Sequence, residues 1–352
     1  MSGAVLVWRV GPASARTPRR TVVTVIVSVV VVAALAGVSF GVGDYLVPPD
    51  RIVLTLLGEG DAQETLVVTR LRLPRVLLGL LVGAMLGLSG AIVQTTARNG
   101  LASPDLLGVT GGASAGAVAV IVLGGATGFS SFLHGVGTTA AALAGGLAAG
   151  ATVAVVLRAT RGGQLQTVLI GVGVSALFSG LTSGMLVEAS IDDAERASAW
   201  LMGSLGGRGV EEVRLAAGAL ALVVVILVPL SARLSALHLG EDTAASLGHR
   251  VPRLRAGLLV SAVVLASIAA AVAGPIGFVA LVAPHLARLA SRAPRAPLAA
   301  SALAGSALVT GSDIVARVVA APLLLPTGAV SAIVGAPFLI WLLVRERKGV
   351  GS

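Results

Sequence analysis

Cysteine is absent from the 352 residues, and lysine occurs once, at Lys348. The first absence excludes disulfides, thiolate metal sites and thiol redox chemistry. The second excludes a G-x-x-x-x-G-K-[ST] phosphate loop, because the one lysine stands at the extreme C-terminal end; the chain carries no Walker-type ATP site of its own. Charged residues make up only 12%, against roughly a quarter in a soluble domain. A net charge of +9 would suit nucleic acid, but the basic residues sit at the ends of apolar runs, so that class is set aside.

What remains is hydrophobic: 56% of the chain, with a mean hydropathy of +0.97. At about 20 residues per span the length allows about ten transmembrane helices. The runs are long and continuous, unlike the alternating ten-residue segments of a β-barrel. The fold class is an all-α polytopic membrane protein. Residues 1–20 form a basic N-terminal segment, 21–346 the membrane domain and 347–352 a short tail. Residues 21–40 are read as a retained first span; Ala34-Leu35-Ala36 resembles a signal cleavage site, but the apolar run is longer than a signal h-region. Residues 44–71 form an outside loop with an amphipathic piece. Gly79, Gly83 and Gly87 mark a stripe for close helix approach. Ser103-Pro104-Asp105 reads as a helix start, and Pro275 and Pro284 as breaks within 274–289. Residues 75–187 and 256–344 each hold four spans in opposite orientation, the layout of an inverted repeat.

With both ends inside, seventeen of the 25 basic residues fall on inside segments and eleven of the 16 acids fall outside, as the positive-inside rule requires. Ionisable groups at membrane depth are the default functional suspects, and here they are scarce. Asp313 stands out, with Arg317 four residues on as a local ion pair. His134, His238, His249 and His285 are dispersed, so no metal site is indicated; His285 reads as a helix-end group. An ion-coupled secondary transporter, the rival reading, needs a carboxylate or broken-helix relay that is not evident. A chain with neither an ATP site nor an ion relay draws its energy from another protein. The stretch 238–255, HLGEDTAASLGHRVPRLR, offers the contact: Glu241, Asp242 and Thr243 open a short helix that Gly248 stops, and Arg250, Arg253 and Arg255 place it inside. As a slack interhelical loop it would need none of these features.

Several motifs, taken in order, resemble the FecCD-type permeases, the membrane subunits of ABC importers for ferric siderophores, haem and cobalamin. They are RLPR at 72–75, LVGAMLGLSGAIVQ at 81–94, RNGLASPDLLGV at 98–109, WLMGSLGG at 200–207, LGEDTAASLG at 239–248, GPIGFVALVAPHLARL at 274–289, SDIVAR at 312–317 and PTGAVSAIVGAPFLIWLL at 326–343. Gly100 stands where the family usually has proline. The resemblance implies the type II ABC importer permease fold, with ten helices and two such subunits, the same or paralogous, around one path. It implies a cytoplasmic ATPase dimer engaged through Leu239, Gly240, Glu241, Ala244, Leu247 and Gly248. It implies an extracytoplasmic solute-binding protein docked on Arg72, Arg75 and Arg317, and an inner gate near Gln164 and Leu165. The implied place is the inner (cytoplasmic) membrane with both termini cytoplasmic. The implied cargo is a ferric siderophore, with haem or cobalamin as the alternative. No catalytic residue, cofactor or metal ligand is assigned.

Overall fold

The computed structural model describes residues 5–10, 13–43, 45–127, 136–160, 164–237, 251–319 and 325–350. A short hairpin comes first: β1 (Val5–Val10) pairs antiparallel with β2 (Ala13–Pro18), Val5 opposite Pro18. The basic composition of this segment had hidden the β-forming Val5, Val7 and Val10. The other regular elements described are helices: α1 (Arg19–Gly41), α2 (Pro49–Leu56), α3 (Ala62–Thr65), α4 (Leu73–Ala97), α5 (Val109–Thr127), α6 (Val136–Thr160), α7 (Gln164–Val187), α8 (Ile191–Leu201), α9 (Val210–Leu237), α10 (Val251–Ala273), α11 (Val279–Ser291), α12 (Leu298–Val318) and α13 (Thr327–Val350). A π-helical stretch, Leu66–Arg72, joins α3 to α4, so Ala62–Ala97 runs as one 36-residue helix.

Among the described residues six helices are long and apolar enough to cross a membrane, and α5, α11 and α13 contribute shorter apolar stretches. With α9, whose centre reads LALVVVILV, they account for the ten or so spans expected. Such runs become helices because lipid offers no partner for the backbone, so every N–H must find a carbonyl within its own segment. Burial ranks them. The apolar window of the Ala62–Ala97 helix is 78% buried, that of α1 is 0%. The α4 helix is therefore the axis, wrapped by α10, α11 and α12, and α1 is peripheral.

The axis is built on absent side chains. A Cβ at Gly83 would lie 2.3 Å from the Gly305 carbonyl oxygen, and one at Gly305 would lie 2.0 Å from that of Gly83. At Gly87 it would lie 2.1 Å from the Ser301 oxygen, and at Gly90 only 1.7 Å from the Ala280 oxygen. In each case a Cα hydrogen faces a carbonyl, the contact that recurs at close helix interfaces. The Ala280 carbonyl has a particular reason to be there. Its helical donor would be residue 284, which is proline and has no N–H, so the oxygen turns to α4 instead. Ser306 and Ser89 add cross-helix bonds, donating to the Leu80 and Ala262 oxygens at 2.7 Å each.

Three expectations need correction. The Ser103-Pro104-Asp105 signal starts only a three-residue 3-10 turn, Asp105–Leu107, because Gly108 takes φ +76° and resets the chain before α5 begins. Pro284 lies inside α11 without ending it; the break is at 274–278, where Gly274 and Phe278 take φ +73° and +65°. His285 is therefore not a helix-end group but is buried mid-helix, its Nδ1 paired with the Leu281 oxygen at 2.9 Å.

Replacing Gly90 with alanine should lower stability by about 1–3 kcal/mol or more, since backbone must move to admit the methyl. Gly218→Ala on α9, where a Cβ meets nothing within 4 Å, should be neutral or gain up to about 1 kcal/mol from helix propensity. Denaturant titration of the two variants in detergent micelles reads the difference.

Candidate functional site

The residues singled out above fall at the two ends of the bundle. Leu239, Gly240, Glu241, Ala244, Leu247 and Gly248 lie outside the described residues; α9 ends just before them at Leu237 and α10 resumes at Val251. Gln164 and Leu165 open α7. Arg72, Arg75 and Arg317 converge at one end, together with the end of α1 and the start of α13.

Asp313 is the hub of that end. Its side chain is 2% exposed. Arg75 grips it in the bidentate manner, Nε donating to both carboxylate oxygens at 3.1 Å and an Nη at 2.9 Å. Arg317, one turn along α12, approaches the other side at 3.1 Å, and the Thr327 hydroxyl donates at 3.1 Å. The carboxylate thus ties α4, α12 and α13 together. The i, i+4 pair read from sequence is present; Arg75 and Thr327 were not foreseeable, since nothing local announces partners so distant along the chain.

Arg72 and Arg317 are turned inward. Arg72 donates to the Phe40 and Tyr45 carbonyls. Arg317 donates to the Ser39 and Val42 carbonyls at 3.1 and 3.0 Å and to the Ser39 hydroxyl. The last turn of α1 has no basic residue of its own, and its orphan carbonyls are met by cations from other helices, which also suit the negative end of its dipole. Gly43, at φ +149°, leaves the space the Arg72 guanidinium fills; a Cβ there would lie 2.9 Å from it. Arg72 is 7% exposed, and the side chains of Arg317 and Arg75 are 8% and 19% exposed. Among the three, Arg75 reaches furthest toward solvent. In the loop before α9, the Arg208 guanidinium is pushed below the ordinary arginine value by burial, with Glu212 acting in the opposite sense.

Three of the family-like motifs meet beside this cluster. Ser204 donates its backbone N–H to the Ala273 oxygen at 2.8 Å, and Gly328 to the Gly203 oxygen at 3.1 Å. Gly203 and Gly274 both take positive φ, and a Cβ at Gly203 would lie 2.1 Å from the Pro275 oxygen. The glycines of WLMGSLGG, GPIG and PTG are thus one backbone-to-backbone junction.

At the opposite end, the loop from Arg98 to Gly108 is held mainly by its own bonds. Asn99 Oδ1 accepts from the Leu101 N–H at 2.9 Å, the Asn99 carbonyl from Ala102 at 3.1 Å, and Ser103 Oγ from Leu106 at 3.4 Å. Asp105 takes a hydrogen bond from the Thr110 hydroxyl, and burial pushes its carboxyl above the usual range while that bond pulls it back. Among the described residues, no group of three His, Asp or Glu is placed to hold a metal ion.

Replacing Asp313 by asparagine leaves two arginines facing a neutral group and should cost about 3–5 kcal/mol, the penalty of stranding buried charge. Removing the exposed Arg214–Glu211 pair by Arg214→Ala should change nothing measurable. Thermal melting of both variants in detergent checks this; equal midpoints would mean that Asp313 is not the hub.

The profile of the FecCD transport family matches residues 26–345. The chain is 39% identical over 347 residues to the achromobactin transport system permease protein of Dickeya dadantii (strain 3937), covering 97% of each. It is 37% identical over 336 residues to a ferric enterobactin transport system permease protein of Escherichia coli (strain K12), covering 94% of this chain and 98% of that one. A solved structure described as an inward-facing conformation of a metal-chelate type ABC transporter superposes with a TM-score of 0.78 at 28% identity, over 92% of this chain and 99% of that one. With the bundle, its glycine axis and this end-to-end match together, the chain is a member of the FecCD transport family, a multi-pass membrane protein.

Proposed function

We propose that this protein is the permease subunit of an ABC importer for ferric siderophores. One observation carries the reading: identity of 37–39% over nearly the full length to permeases named for ferric enterobactin and achromobactin. The lack of a phosphate-binding lysine motif in the chain supports a separate ATPase, which takes the LGEDTAASLG segment at 239–248 as its contact. Residues 21–346 form the permease domain of an inner-membrane protein with both termini cytoplasmic. The Asp313 end is then extracytoplasmic and the Arg98–Gly108 end cytoplasmic. Two such subunits enclose the path, with the gate at the start of α7 near Gln164 and Leu165. The solute-binding protein docks at the arginine end, where three guanidiniums gather around one buried carboxylate that only Arg75 and Arg317 touch, an excess of positive charge that favours acidic groups from a partner. Arg75 is its first contact, and Arg72 and Arg317 must exchange backbone carbonyls to take part.

In proteoliposomes holding the complete transporter, uptake of radio-iron enterobactin or achromobactin should need ATP. Uptake driven by a proton or sodium gradient alone would overturn the reading in favour of an ion-coupled carrier, and uptake of haem or cobalamin in place of the siderophores would reassign the cargo. The Glu241→Arg variant should lose about 5- to 150-fold in uptake, the usual span of a broken coupling, while still folding. Arg75→Glu should slow association of the binding protein, by less as salt is raised; unchanged association would remove Arg75 from the docking surface.

A further inference from the structure

Building on that reading, we infer that the Arg98–Gly108 loop is a rigid strut that passes motion of α10 to α7, joining the ATPase contact to the gate. The loop touches both helices, in different ways. Toward α7 there is no room. A Cβ at Gly171 would lie 2.0 Å from the Leu106 carbonyl oxygen and 3.3 Å from the Leu107 Cα. One at Gly108 would lie 2.9 Å from the Val174 side chain, and the Ser175 hydroxyl donates to the Asp105 carbonyl at 3.4 Å. Any displacement of the loop therefore reaches the first half of α7 through backbone contact.

Toward α10 there is a small cavity, lined by Thr96, Ala102, Leu106 and Leu107 on one side and by Arg255 and Leu259 of α10 on the other. Arg255 and Leu259 belong to the first turns after residues 238–250. When α10 moves toward α4 the cavity closes and Leu259 meets the loop. The loop cannot absorb that movement. Its local hydrogen bonds close two successive turns, Asn99–Ala102 and Ser103–Gly108, which stiffen it. Gly173, Gly180 and Gly184 lie on a face of α7 where a Cβ would meet no other part of this chain within 4 Å, so no other described helix pins α7 there. The physical ingredients of transmission are therefore present, namely a stiff piece, a contact without play on the driven side, and free volume on the driving side. Proximity by itself does not establish energetic coupling, so the test must read coupling and not stability.

The variants are Gly171→Ala and Ser175→Ala, with Gly173→Ala as a control of the same chemistry two residues along the helix. The readout is radio-iron siderophore uptake per ATP hydrolysed, by the complete transporter with its ATPase and binding protein in proteoliposomes. A merely structural role would alter melting temperature and total activity but not this ratio. Gly171→Ala should lower the ratio by about tenfold and Ser175→Ala by about threefold, within the range that intermediate positions exert on coupling, and Gly173→Ala should leave it unchanged. Wild-type ratios in both Gly171→Ala and Ser175→Ala would overturn the strut while leaving the importer reading intact. If Gly171→Ala does not fold, Ser175→Ala alone decides. Absence of ATP-driven uptake in the unmodified transporter would overturn the importer reading, and the strut with it.

Discussion

Helices in lipid gain nothing from hiding apolar surface from one another, because the acyl chains are equally apolar. This bundle coheres because α4 presents no side chain where its neighbours must come closest. Gly83 against Gly305, Gly87 against Ser301 and Gly90 against Ala280 bring backbone onto backbone. That proximity lets dispersion and weak Cα–H bonds act over the length of the helix. The proline in α11 belongs to the same design: by withholding a donor from Ala280 it supplies the oxygen that Gly90 receives.

Close approach fixes the spacing of the helices but not their rotation or register. Polar groups at the arginine end supply those. Asp313 is read by α4, α12 and α13 at once, and the end of α1 is held through its own carbonyls by cations from two other helices. A peripheral span with an unburied apolar window thus has a defined position. Backbone oxygens do not depend on the identity of α1 side chains, which leaves that helix free to be a nearly featureless valine and alanine run.

Much of this was legible in the sequence, and the residues show why the remainder was not. The glycine stripe at 79, 83 and 87 announced a close interface, and Asp313 with Arg317 announced an ion pair, because both are local patterns. The partner of the stripe and the second arginine on Asp313 lie more than 200 residues away, beyond the reach of periodicity. The inward turn of Arg72 and Arg317 was invisible for another reason: their acceptors are main-chain carbonyls, which no residue type reports. The SPD start signal was outranked by one left-handed glycine, and Pro284 was absorbed because a neighbouring helix had a use for the oxygen it freed. The N-terminal hairpin was masked by arginines. For the candidate site, the sequence placed Arg72, Arg75 and Arg317 at the ends of two spans, and the structure brings them to one end of the bundle; the strut rests on two glycines, one of α7 and one of the loop, that sequence alone cannot distinguish from lipid-facing ones.

The unbroken helix from Ala62 to Ala97 has a geometric consequence. At 1.5 Å per residue its 36 residues reach about 54 Å, against a hydrocarbon layer of about 30 Å. An upright rod of that length cannot be contained, so it leans or stands clear of the acyl chains at one end. The π-helical turn and α2 brace the surplus through Val47, Ile52 and Val68. Where it stands clear, the second span is also a mast, and a molecule approaching from that side of the membrane meets the mast before it meets the bilayer.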